Sequence, residues 1–241
     1  MAPDGGTHAR VDDGRLVGVV GRLGVYPLVR LSLPARRILA YLALRGQPVA
    51  RRVAAADLWP DVPDDCARTN LRRSVWHLPA GWVASVGDEL HLQAQTDLAA
   101  AHAAAARALD GLELTLADIT LLSDDVLPGW HDEWVLAQQE AFRLLRVQAL
   151  EAACRTMRAS GHLALSIQAG AAALAAEPLC ESAAEALIDA YLAQSNRHQA
   201  RQCFLSLAGR LRSELGVAPQ PGLLHRLDEL GLGERVAGLP V

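Results

Sequence analysis

A mainly α-helical chain with a small β component, organised in two parts, is what this sequence predicts, and three features predict it. Short Val-rich runs broken by glycine precede residue 95. From Asp97 onward apolar residues recur at helical spacing between Gly, Pro and Asn stops. Charge divides at the same place: residues 1–95 hold 12 Arg against 9 Asp and Glu, and residues 96–241 hold 11 Arg against 18, so a +3 part precedes a −7 part. A basic part tied to an acidic one fits a nucleic-acid-binding module joined to a module with another task.

With 241 residues, 51% of them hydrophobic, the chain can bury a core in each of two ordinary domains. The Ala-rich run Ala99–Ala106 is interrupted by His102, and no run approaches the roughly 20 apolar residues of a membrane span. The first fourteen residues, MAPDGGTHARVDDG, are polar and acidic; they predict a disordered tail with no apolar signal segment. Residues 233–241 are expected to form a second tail. Cys66, Cys154, Cys180 and Cys203 make no CxxC pair, which fits reduced thiols in a cytoplasmic protein. All 23 basic residues are arginine, which points to a GC-rich genome rather than to any chemistry.

Taken in order, Leu16 to Leu31 (LVGVVGRLGVYPLVRL) reads as two or three small strands with turns at Gly18, Gly21 and Gly24. Those glycines share a spacing with nucleotide-binding loops, but no helix follows them directly. Pro34 suits the first turn of helix one, whose Ile38, Leu39 and Leu42 point inward and which stops at Arg45-Gly46. Pro48-Val49 leads to a second helix from Arg51 to Trp59, with Val53 and Leu58 inward and a break at Pro60. An acidic turn, Asp61 to Asp65, is expected to cap a third helix from Asp64 to Leu78. On that helix Ala67, Leu71, Val75 and Leu78 form one stripe, and Thr69, Arg73 and Trp76 face away from it, with Arg72 and His77 beside them. Between Ala67 and Pro79 there are three arginines and no carboxylate. Pro79 and Gly81 stop the helix, and Trp82–Gln93 alternates about Gly87-Asp88 as a hairpin.

Strands, three helices and a hairpin, over residues 15–95, make a winged helix-turn-helix, in which the third helix enters the major groove and the hairpin lies along the backbone. Residues 96–232 read as an all-α domain. Its helices are Leu98–Leu109, His131–Ala159, His162–Ala176, Leu179–Gln194 and Arg197–Leu215, with 112–128 irregular. Gly161 and Asn196 each end one helix and open the next, a spacing close to the roughly 34 residues of tetratricopeptide repeats.

Six stretches in this order are LPARRILAYLAL (33–44), DLWPD (57–61), ARTNLRRSVWHL (67–78), LLSDDVLPGWHDEWVL (121–136), EPLCESAAEALIDAYLAQSNRHQA (177–200) and LRSELGVAPQPGL (211–223). Over roughly residues 15–230 the chain resembles the SARP family of antibiotic regulatory proteins, an OmpR-type winged helix followed by a bacterial transcriptional activator domain. The resemblance implies a cytoplasmic, nucleoid-associated regulator that binds direct repeats of double-stranded DNA as a homodimer and helps recruit RNA polymerase to a secondary-metabolite gene cluster. Family members often carry basic residues where this chain has Pro79-Ala80, which implies a shorter recognition helix here. Large members continue into an ATPase domain, but no GxxxxGK[ST] occurs in this sequence and no nucleotide chemistry is expected.

Arg72 and Arg73 are the first candidates for DNA contact, because arginine reaches phosphate or pairs in bidentate fashion with guanine. Thr69, Asn70, Trp76 and His77 follow, with Trp76 equally suited to bracing the helix against the wing. Arg68, on the flank, and Arg51 and Arg52, opening helix two, are expected at phosphates. Trp130 and Trp134, one turn apart, are expected to pack at a domain junction rather than to cage a ligand. The histidines at 102, 131, 162, 198 and 225 lack the spacing or acidic partners of a metal site or catalytic base, so no enzyme and no cofactor are expected. The rival reading is a repeat-type interaction adaptor whose winged helix no longer binds DNA.

Overall fold

The structure, a computed structural model, describes residues 14–229 and 231. The two expected tails, 1–14 and 233–241, lie outside the described residues except for Gly14. The described residues form two compact units, those up to residue 100 with 126–138, and 101–125 with those from 139 onward.

The first unit begins with β1 (Leu16–Gly18) and β2 (Gly24–Tyr26), paired antiparallel with Leu16 opposite Tyr26. β6 (Gln95–Thr96) adds to the other side of β1 in parallel, so β2 is an edge strand. Gly21, at φ 75°, makes the turn between β1 and β2. Gly18 is needed for a different reason than the turn expected of it. The Asp97 carboxylate accepts hydrogen bonds from the Val19 and Val20 amides at 2.8 and 3.1 Å, and a Cβ on Gly18 would lie 3.1 Å from Asp97 Oδ2. Burial raises the Asp97 carboxyl above its ordinary value even though backbone amides, Val19 first among them, pull it down.

α1 (Leu33–Arg45) starts at Ser32, whose hydroxyl accepts from the Ala35 amide, carries Pro34 in its first turn, and stops at Gly46 in the left-handed region. β3 (Val49–Ala50), α2 (Arg51–Leu58), α3 (Asp64–Trp76), β4 (Val83–Val86) and β5 (Glu89–Leu92) follow, and the second sheet has the antiparallel order β3-β5-β4. Ile38, Tyr41, Leu42, Leu58, Leu71 and Leu90 are the large members of the core that joins these elements. On α2 the inward residues are Ala54, Ala55 and Leu58, and Val53 is 43% exposed. The expectation for Val53 fails because it lies five positions, about 140° around a helix, from Leu58. Tyr41 donates its hydroxyl to Asp57 Oδ2 at 2.7 Å, and Arg45 reaches the same oxygen at 2.6 Å while lying over the Tyr41 ring. Burial, followed by the Asp57 contact, pushes the Tyr41 hydroxyl far above its usual range, so it stays a donor and ties α1 to α2.

Residues 126–138 complete this unit. Leu127 donates its amide to the Val19 carbonyl at 2.8 Å, Val126 bridges Val20, and Asp132 pairs with Arg37 at 2.5 Å. Trp134 meets the Tyr41 ring edge-on at 5.3 Å and Trp130 at 6.1 Å, so both tryptophans pack within the first unit.

In the second unit the stretch expected to be irregular contains α5 (Leu116–Ser123), capped by Thr115 and Asp118 in a reciprocal box. The signal was there: Thr115-x-x-Asp118 before an apolar run is a capping box with aspartate in the usual glutamate place. α4 (Asp97–Leu109), α6 (Glu133–Ala159), α7 (Leu163–Ala176) and α8 (Glu181–Ala193) lie within two residues of their expected bounds at each end. The helical run expected over Arg197–Leu215 has those bounds, as α9 (Arg197–Arg210) followed by a π-helical turn, Leu211–Leu215, closed by Gly216. α10 (Pro221–Glu229) was not anticipated. α7 packs on α8 and α8 on α9, with Ile188, Phe204, Leu207, Leu211 and Leu223 in the core between them. Gly170 of α7 permits close approach: a Cβ there would sit 2.9 Å from Cys154 Sγ and 3.1 Å from Leu187 Cβ. Among the described residues no helix is long and apolar enough to cross a membrane. The expected class, mainly α with small β, is the class observed.

Candidate nucleic-acid interface

α3 begins after Pro63, and no side chain caps it. The acidic turn therefore does not supply the expected cap. Asp64 and Asp65 instead sit inside the first turn, where their charge opposes the positive end of the helix dipole. The inward face is Ala67, Leu71 and Ser74, with Val75 and Leu78 half-buried, and the helix ends at Trp76, two residues short of the expected Leu78. His77 takes the C-terminal cap, and the chain has left the helix before Pro79.

Arg72 and Arg73 are exposed and have no carboxylate partner among the described residues. Arg68 does have one: its guanidinium pairs with Asp65 at 2.6 Å, one helical turn back. Both side chains are more than half exposed, so the pair is weak and a phosphate can displace it. Thr69 is exposed and Asn70 half-buried. Trp76 is 79% exposed and meets His77 edge-on at 4.9 Å, so it does not brace the helix against the hairpin.

Arg51 is held differently from its neighbour. Its guanidinium donates to Ser85 Oγ at 2.5 Å and its amide to the Asp88 carbonyl at 2.8 Å, joining the start of α2 to the hairpin. Arg52 projects into solvent. The hairpin itself carries no arginine; it carries Asp88 and Glu89, the latter 3.2 Å from His91, and an exposed Val86 at its tip. Of α2, α3 and the hairpin, positive charge thus lies on α3 and the start of α2.

Asn70, Arg73 and His77 come together with Ser32, Trp59 and Ser74 around a shallow groove. The last three were missed from sequence. Ser32 and Trp59 come from other elements, and Ser74 sits at 8% exposure on the inner face, where helical periodicity alone assigns an apolar role. Groups of three or more His, Cys, Asp or Glu side chains able to hold a metal do not occur among the described residues.

A family model described as "Bacterial transcriptional activator domain" matches residues 85–230. Among solved structures the chain is similar to Mycobacterium tuberculosis EmbR, determined in complex with a low affinity phosphopeptide, at a TM-score of 0.60 and 22% identity. That match covers 94% of this chain and 66% of the EmbR chain. No curated protein sequence matches.

Proposed function

The chain belongs to the bacterial transcriptional activator domain family, in the SARP arrangement of winged helix and helical domain, and from that premise we propose that it is a sequence-specific DNA-binding activator of transcription. It acts without enzymatic chemistry, in the cytoplasm on nucleoid DNA, and recruits RNA polymerase to a secondary-metabolite gene cluster. Residues 15–95 bind DNA, and residues 96–232 carry protein contacts. The observation that supports this best is the exposed face of α3, where Arg72 and Arg73 stand free of any carboxylate among the described residues.

In this reading Arg72 and Arg73 meet base edges or phosphates in the major groove, with Thr69, Asn70, Trp76 and His77 around them. Arg68, Arg51 and Arg52 contact the backbone. Because α3 ends at Trp76, one copy makes few phosphate contacts, and useful occupancy requires a homodimer on direct repeats roughly 10–11 base pairs apart, centre to centre. Titration of duplex DNA with the full chain, at several salt concentrations, tests it. Arg72→Ala with Arg73→Ala should weaken binding by about 1–3 kcal/mol per lost specific contact and flatten the salt dependence. Inserting half a helical turn between repeats should abolish cooperativity, and an unchanged titration for the double variant removes α3 from the interface. The acidic, arginine-free hairpin favours the rival reading, an interaction adaptor; failure of the wild-type chain to bind any duplex would support that reading instead.

A further inference from the structure

The first unit holds a second basic feature that DNA recognition by α3 does not use. From Gly14 to Ala56 there are eight arginines and no carboxylate. Two of them are neutralised across the fold, Arg37 by Asp132 and Arg45 by Asp57. Arg22 and Arg36 are exposed, have no acidic partner among the described residues, and flank one open groove in the first unit. Its walls are apolar, formed by Val25, Leu28, Leu127 and Trp130. Leu28 is 89% exposed and the adjoining Tyr26 68%, an unusual cost to leave in water unless something covers them. Beside the groove runs β2, the outer strand of its sheet, with no strand on its far side among the described residues.

We propose that this groove binds an extended acidic peptide segment of a partner protein. The segment adds to the open edge of β2 through main-chain hydrogen bonds, sets an apolar side chain against Leu28 and Trp130, and places carboxylates at Arg22 and Arg36. Each part of that chemistry is matched on the surface: unpaired strand edge, apolar wall and two free guanidinium groups. Duplex DNA satisfies the charge but neither the strand edge nor the apolar wall. Pro27, which lacks an amide hydrogen, ends β2 and limits the register to a short segment.

The test uses the full chain and a fluorescent peptide of about six residues alternating Glu and Val, with a Lys-Val peptide as control. The acidic peptide should bind, more weakly as salt rises, and should shift the backbone amide resonances of Gly24–Tyr26. Arg22→Glu with Arg36→Glu should weaken it by about tenfold, since two attractions become repulsions, while leaving the circular dichroism spectrum and duplex DNA affinity unchanged. If that variant unfolds, the milder Arg22→Gln with Arg36→Gln should give a smaller loss in the same direction. Absence of binding, or equal binding of the Lys-Val peptide, overturns the proposal. So does a variant that loses self-association or DNA affinity but retains the peptide, which assigns the arginines to a second copy or to DNA. Tighter peptide binding after removal of residues 1–13 would make the chain's own acidic N-terminus the occupant and also overturns it. Because DNA binding is read separately, failure here leaves the DNA-binding assignment standing.

Discussion

Replacing Gly170 by alanine sets two effects of known size against each other. In an isolated helix the change is favourable by about 1 kcal/mol, because glycine is the poorer helix former. In α7 the new methyl would stand 2.9 Å from Cys154 Sγ, 3.1 Å from Leu187 Cβ and 3.2 Å from Leu187 Cδ1, all tighter than ordinary contact. Neither neighbour yields easily. Cys154 is fully buried and its sulfur lies 3.4 Å from the Ser166 hydroxyl, which is itself fixed to the Cys154 carbonyl at 2.7 Å. Leu187 is 4% exposed, and its Cβ can move only with the backbone of α8. Overpacking of this kind costs about 1–3 kcal/mol, so a net loss of about 1 kcal/mol is expected. Urea unfolding of the full chain, followed by far-ultraviolet circular dichroism, should show a lower midpoint at unchanged slope. Native-state amide exchange should place the loss in α7 and α8. Adding Cys154→Ala removes the nearest obstacle and should recover part of the loss. A Gly170→Ala chain more stable than wild type would refute the close approach of these helices.

Three further outcomes follow from the same contacts. Asp97→Ala leaves the Val19 and Val20 amides without their acceptor and should cost about 1–3 kcal/mol in denaturant unfolding; an unchanged midpoint would remove Asp97 as the clasp of the first sheet. Burial pushes the Asp118 carboxyl up, but the Thr115 amide and hydroxyl and Arg107 outweigh it and hold the group below the usual carboxylate range. Its contribution is therefore present above the unfolded value, about 3.9, and lost as pH falls through the lower folded value, so Asp118→Asn should lower the melting temperature at neutral pH and converge on wild type near pH 2. A gap that persists at that pH would refute the ionic origin of the cap's strength. Asp65→Asn releases Arg68 and should steepen the salt dependence of DNA binding by about one counterion. No change in slope would show that Arg68 does not reach phosphate.

Helix ends in this chain were legible where a side chain or a glycine closes the backbone locally. Ser32 with Pro34, Gly46, Gly161 and Asn196 each mark an end that the structure uses. The helix at Leu116–Ser123 hid because it is short and its box uses aspartate, whereas α10 was readable and missed: Pro221 suits a first turn, and Leu223, Leu224 and Leu227 recur at helical spacing. On α3 the inward face was readable at Ala67 and Leu71. Its third buried member, Ser74, was not, because its burial depends on neighbours far away in sequence. The free state of Arg72 and Arg73 followed from the lack of carboxylates nearby, and the pairing of Arg68 was signalled by acids three and four residues back, although spacing alone does not choose Asp65 over Asp64.

The return of residues 126–138 to the first unit bears on how the protein emerges from the ribosome. The first unit is mostly encoded first, yet Val19, Val20, Arg37 and Tyr41 each take a further partner from the later residues Leu127, Val126, Asp132 and Trp134. These contacts join residues roughly a hundred positions apart, and such long loops close slowly compared with the helices between them. A nascent chain stopped near residue 95 therefore carries an incomplete core, with Tyr41 lacking its aromatic neighbour and the Val19 carbonyl lacking its donor. Synthesis must run past residue 138 before that core can close. Maturation of the unit that carries α3 is thereby delayed until the first helices of the next unit have been made.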